Sequence, residues 1–305
     1  MNVAALLFDV GEPERGQVGE HEKEPWANMT HRRDVMGAYR VAALLCVLCV
    51  PWVRTSAQIR QRSAADILAD PSYAWRTDST AHTRIHYLDG SPAADSLARV
   101  KRDIELSWTK AADFVGGLTV DRMIDVFAVP QREMVREISR VATSASALNF
   151  WRQRVVIVWV PAQGWRNAHE LVHIMAYDAW GEPNAWWVGE GVAIAASGWF
   201  GVDVDAAAKC LGAAGKLLPL DRVVRGGTPD ERIQNVAGAE AGSFVRFLIE
   251  RYGREKVGRV YARGASALQA AYGEPLAQLE REWRQRVDSV GSGGVRCDAV
   301  VNAAR

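Results

Sequence analysis

An α+β fold is predicted for this chain by three features of its 305 residues. Runs rich in β-branched and aromatic residues fall before residue 161. Apolar residues at helical spacing dominate after residue 168. The two kinds of segment do not alternate strictly, as a βαβ array would require. At 49% hydrophobic and 24% charged, the sequence has ample material for a packed core. Thirty-seven basic side chains balance 36 acidic ones, so the surplus needed for a nucleic-acid surface is missing. Four cysteines are too few for a disulfide-built scaffold.

The first 57 residues read as two segments outside the fold. Residues 1–28 hold six acidic side chains (Asp9, Glu12, Glu14, Glu20, Glu22, Glu24) against Arg15 and Lys23. They are expected to be an over-extended start, with translation beginning at Met29 or Met36. Residues 29–57 then switch to a basic balance through Arg32, Arg33, Arg40 and Arg54. The apolar run Val41–Val53 and the small residues Thr55-Ser56-Ala57 complete the pattern of a secretory signal peptide. Thirteen apolar residues fall short of the roughly 20 needed to span a bilayer, so the mature chain is expected to carry no stable membrane span and to be extracytoplasmic, periplasmic or secreted. Residues 58–290 are expected to form one domain and residues 291–305 a flexible tail. Cleavage leaves Cys210 and Cys297, which an oxidising compartment could join or leave as thiols.

Within that domain, His82–Leu88 alternates as a short strand, and Ala94–Val115 is apolar at helical spacing (Leu97, Val100, Ile104, Trp108, Ala111). Met123–Val129 and Val155–Val160 are strand runs, with a mostly helical Glu133–Ala147 between them. Ala168–Trp180 is a helix closed by Gly181-Glu182-Pro183, and a second helix runs from about Val188 to Trp199. Gly201–Asp230 is irregular with short helical pieces. Ala239–Tyr252 and Glu255–Arg263 are helices broken at Gly253, and Leu276–Val287 is the last amphipathic helix. A small N-terminal sheet and a mainly helical C-terminal part result.

The chemistry sits in Ala168-His169-Glu170-Leu171-Val172-His173. Residues four apart lie about 40° apart around a helix, so His169 and His173 share one face and can hold a single ion. Glu170 stands at the edge of that face, where it can serve as general base towards a metal-activated water without being a ligand. Zinc in a catalytic site needs a third protein ligand and an open position. After sixteen intervening residues beyond His173, past the Gly-Glu-Pro break, Glu190 supplies the carboxylate from the next helix.

HExxH with a glutamate on the following helix resembles the gluzincins. The stretch Trp187-Val188-Gly189-Glu190-Gly191-Val192-Ala193 is similar to aminopeptidase N-type enzymes and to bacterial peptidase MA-like domains, and the later segment Ala241–Gly253 resembles the helix that follows the site in those bacterial domains. The resemblance runs from about Ile85 to Val287. It implies a zincin-like metallopeptidase domain, one Zn²⁺ per chain on His169, His173 and Glu190, and hydrolysis of a peptide or protein substrate with Glu170 as base. Three departures qualify it. The 16-residue gap calls for a tight inter-helix turn. Where relatives place an oxyanion-stabilising tyrosine, this sequence reads Val236-Ala237-Gly238-Ala239-Glu240, which leaves Tyr252 or Tyr261 as substitutes. The Gly-x-Met-Glu-Asn clamp of the aminopeptidases is missing, so exopeptidase action is not implied. A non-catalytic extracytoplasmic binding module of the same fold is the alternative.

Other residues read more plainly. His82 and His86 could pair on a metal but fit a strand surface or core better. Trp186 is the aromatic best placed for a cleft, and Asp178 is a candidate to orient a ligand histidine. Arg251, Arg254, Lys256 and Arg259 fit a solvated helix face.

Overall fold

Ile124–Val129 is buried at every position and Val155–Val158 likewise, which is why the sequence reads there as apolar runs interrupted only by Asp125. Both strands lie inside a sheet covered on its two faces. The computed structural model describes residues 61–117, 122–143, 145–160, 168–291 and 294–304. The chain divides into two units, Met1–Thr55 and Ser56–Arg305, and every described residue belongs to the second. The expected start extension and signal peptide lie outside the described residues.

The sheet holds β1 (Trp75–Ser79), β2 (Thr83–Leu88), β3 (Ile124–Val129), β4 (Ala147–Phe150) and β5 (Val155–Trp159), in the order β1-β2-β3-β5-β4. The β2, β3 and β5 strands are parallel neighbours, and β1 and β4 are antiparallel edges. Four helices accompany it: α1 (Ala64–Leu68), α2 (Pro92–Asp95), α3 (Leu97–Val115) and α4 (Glu133–Ser139). Ile67 of α1 and Met134, Val135 and Ile138 of α4 cover one face against Phe127 and Ile157. Val100 and Ile104 of α3 cover the other against Ile85, Val126 and Val156. Helix-containing crossovers join the parallel neighbours β2 to β3 through α2 and α3, and β3 to β5 through α4 and β4, without a strict βαβ alternation along the chain.

The helical part follows: α5 (His169–Trp180), α6 (Trp186–Ser197), α7 (Val204–Ala213), α8 (Leu220–Arg225), α9 (Glu231–Tyr252), α10 (Arg254–Arg263), α11 (Leu268–Tyr272), α12 (Leu276–Ser289) and α13 (Cys297–Ala303). The α+β class is thus observed. Among the described residues no helix is long and apolar enough to cross a membrane.

Four expectations are corrected. The helical stretch Glu133–Ala147 ends at Ser139, because Arg140 takes a left-handed φ of 58°, and Ala147 opens β4. Two edge strands, β1 and β4, went unforeseen, since four or five residues acquire strand character only from their partners. The α9 helix begins at Glu231 rather than Ala239, capped by the Asp230 carboxylate accepting from Arg232 N–H. The expected flexible tail is instead partly helical. Cys297 of α13 is disulfide-bonded to Cys210 of α7, and Val300 and Ala304 are buried against Leu211.

Two glycines bring α6 against α9. A Cβ at Gly191 would meet the Ala241 carbonyl oxygen at 2.8 Å, and one at Gly242 would meet Ile194 at 2.5 Å. Because the Ala241 carbonyl belongs to a helix backbone, it cannot swing aside. Gly191→Ala is therefore expected to destabilise the fold by about 1–3 kcal/mol despite alanine's better helix propensity. Urea denaturation at neutral pH checks this; an unchanged midpoint would refute it.

Candidate metal centre

The α5 helix starts at His169 with Ala168 as its N-cap residue and ends where Gly181, at φ 86°, donates its N–H to Tyr177 O. Pro183 then packs on Gly189 of α6, and Asn184 N–H donates to Tyr261 O at 2.8 Å. This tight turn sets α6 beside α5, and Glu190 faces the two histidines.

His169 Nε2 and His173 Nε2 stand 3.1 Å apart. Glu190 Oε2 is 3.3 Å from the first, and its Oε1 is 3.6 Å from the second. A tetrahedral cation bound at 2.0–2.1 Å separates its ligand atoms by about 3.3–3.4 Å. The triangle therefore has the dimensions of three vertices of such a site, and two imidazoles with a carboxylate suit a borderline-soft divalent ion. Among the described residues this is the one cluster of three or more potential ligands.

Burial opposes charge on all three groups. At Glu190 the His173 charge and the His169 hydrogen bond outweigh burial and hold the carboxyl at about 2. At His169 burial is overcome by the Glu190 hydrogen bond and the charges of Glu170 and Glu190, so its pKa rises. At His173 burial prevails over Glu190, and its pKa falls.

The triad opens onto a cleft of about 970 Å³, lined by all four residues of β4, by Trp151 and Arg152, and by Glu170 and Glu182. Ser146 O accepts from Trp159 N–H at 2.9 Å, which makes Leu148–Ile157 and Phe150–Val155 the hydrogen-bonded pairs of the β4–β5 ladder. Ala147 and Asn149 consequently turn their main-chain N–H and C=O groups towards the free edge. Arg152 pairs with Glu182 across the cleft, and its main-chain N–H donates to Gln61 Oε1. Glu170 is buried, and Asn149 Nδ2 donates to its Oε2 at 2.6 Å.

All four residues singled out by the motif, His169, Glu170, His173 and Glu190, line one cleft. Several secondary candidates stand elsewhere. The strand beside the cleft is β4 and not Val155–Val160, which is one position further into the sheet. Tyr252 packs on Tyr272, and Tyr261 packs on Trp180; neither lines the cleft. Burial, and then the Glu190 charge, raise the Tyr261 phenol above its usual range. Trp187 is a core residue at 1% exposure, while Trp186 packs on the core outside the cleft lining, which Trp151 joins. Asp178 pairs with Arg154 rather than with a ligand histidine. His82 bonds Glu105, and His86 bonds Asp125 and Thr77, so the two histidines occupy separate polar clusters. Asn149 was missed altogether, because no spacing rule links it to a helix 21 residues away.

The chain matches no protein-family model, no curated protein and no solved structure.

Proposed function

We propose that this chain is an exported zinc-dependent peptidase of the gluzincin type, a zincin-like domain similar to bacterial peptidase MA-like domains. The observation that carries the reading is the convergence of His169, His173 and Glu190 within 4.8 Å beside Glu170 in one cleft. His169, His173 and Glu190 would hold the ion. When bound, it supplies Lewis acidity that polarises a carbonyl and acidifies a water. Glu170 is not one of the three converging groups and remains a base. Its carboxylate takes the proton of the attacking water and delivers it to the leaving amine nitrogen.

The free edge of β4 supplies the other half of the argument. An extended peptide laid along it receives hydrogen bonds from the main chain of Ala147 and Asn149 whatever its side chains, which places an amide bond within the cleft. An extracytoplasmic peptide or protein is thus the substrate class. The alternative reading, a binding module without turnover, draws on the lack of any tyrosine among the described residues that line the cleft. Losing one oxyanion donor costs about 10²–10³ in rate.

The experiment is zinc content and casein hydrolysis by the unmutated chain and by Glu170→Gln. The expected result is one zinc in both proteins, with turnover lowered about 10²–10⁴-fold in the variant. Zinc in both with no turnover in either would favour the binding module. A folded protein that takes up no metal would end the reading.

A further inference from the structure

We infer that Asn149 is a positioning residue for Glu170, tying the orientation of the base to the strand edge where substrate would pair. The inference rests on the peptidase reading above. Three observations carry it. The Asn149 side-chain amide donates to Glu170 Oε2 at 2.6 Å, and no other side-chain hydrogen bond to a described residue reaches that carboxylate. The register sets Asn149 opposite Val156, whose side chain belongs to the core shared with Leu171 and Met175 of α5. Directly opposed residues share a face, so Asn149 projects towards the helix that carries Glu170. Finally, the parity of the β4–β5 ladder turns the main chain of this same residue to the free edge.

The physical consequence is a division of labour between the two carboxylate oxygens. A glutamate has three side-chain torsions, and without a partner its carboxylate samples several orientations over the ion site. With Oε2 occupied by the amide, the plane of the carboxylate is fixed and Oε1 is left to exchange the proton. A neutral donor does this without forming an ion pair that would compete for the charge. Because the donor belongs to the edge strand, the base is referenced to the same backbone that would align the scissile bond. A proton-transfer geometry of about 2.6–3.2 Å is sensitive to errors of this size. Displacements near 1 Å cost roughly 100-fold in rate.

A residue that merely fills space would behave differently from one that aims a base. The test compares the zinc-loaded full chain with Asn149→Ala and Asn149→Asp, using a fluorescein-labelled casein substrate. Asn149→Ala is expected to lower kcat about 10–100-fold with KM changed less than about threefold, because the main chain along β4 is retained. Asn149→Asp, nearly the same shape, is expected to lose at least as much, since a carboxylate cannot donate and repels Glu170. Zinc content and thermal midpoint should stay at the unmutated values in the Asp variant, which decides the matter should the Ala variant fold poorly. A kcat within twofold of the unmutated chain in both variants, or a fall in zinc content that accounts for the loss, would overturn the inference and leave the peptidase reading standing. An unmutated chain that holds zinc and hydrolyses nothing would overturn both.

Discussion

Glu190→Gln is expected to lower zinc affinity by more than about 100-fold and to abolish casein hydrolysis with it, while the chain stays folded. Even partners that only orient a ligand cost 10–100-fold in metal affinity when removed, and a direct ligand costs more. The amide keeps the volume of the carboxylate but gives up the charge that the two imidazoles face at 3.3 and 3.6 Å. His173→Ala should do the same by removing one corner of the triangle. Uptake should also depend on acidity in a defined direction. The Glu190 hydrogen bond raises His169 above its ordinary value when no cation is present, and a proton there must leave before the nitrogen can bind. Zinc binding is therefore expected to weaken as pH falls through the imidazole range and to be restored on return to neutrality. Equilibrium dialysis against zinc between pH 5 and 8 measures both effects. Full stoichiometry in Glu190→Gln at micromolar zinc would remove Glu190 from the ligand set.

The second large effect lies away from the cleft. Glu240 of α9 is fully buried; its Oε2 accepts from Leu218 N–H at 3.1 Å, and its Oε1 has no hydrogen-bond partner among the described residues. Burial pushes its carboxyl from 4.5 to about 8, against the hydrogen bond from Leu218 and the charge of Arg284 and with the charge of Glu280. Arg284 and Glu280, both on α12, pair with each other at 2.8 Å. In the unfolded chain Glu240 ionises near 4.5; in the folded chain it keeps its proton until about 8. Between those values the folded state binds more protons, so stability falls as pH rises. The favourable contribution is complete below pH 4.5 and lost above pH 8, a change on the order of 3–5 kcal/mol. Glu240→Gln retains the acceptor for Leu218 N–H and the shape of the protonated acid. It is expected to flatten the dependence and to stand several kcal/mol above the unmutated chain at pH 8.5. Urea unfolding at pH 5, 7 and 8.5 decides it. Parallel pH profiles for the two proteins would show that Glu240 does not titrate in this way.

Helices were the legible part of this sequence, because their signals are local. The spacing of His169 and His173 places both on one face of any α-helix, and Gly181 and Gly253 end their helices by adopting positive φ. Glu190 could be chosen from its distance along the chain and the break at Gly181-Glu182-Pro183, because a short turn leaves two helices few ways to pack. So the α+β class and the four residues of the motif were determined by the sequence.

The edges of the sheet and the partners of the site were decided by tertiary structure. Ala147-Leu148-Asn149-Phe150 becomes a strand by pairing with β5 and has no periodicity of its own to announce it. Asn149 meets Glu170 only once that pairing and the packing of α5 on the sheet have both formed. Cys210 and Cys297 are 87 positions apart, and their union, with the helix it fixes at the C-terminus, follows from α7 and α13 docking together. A hydrogen-bonding period of four residues can be read along a chain. Contacts between segments tens of residues apart depend on every element packed between them, and only the folded molecule specifies those.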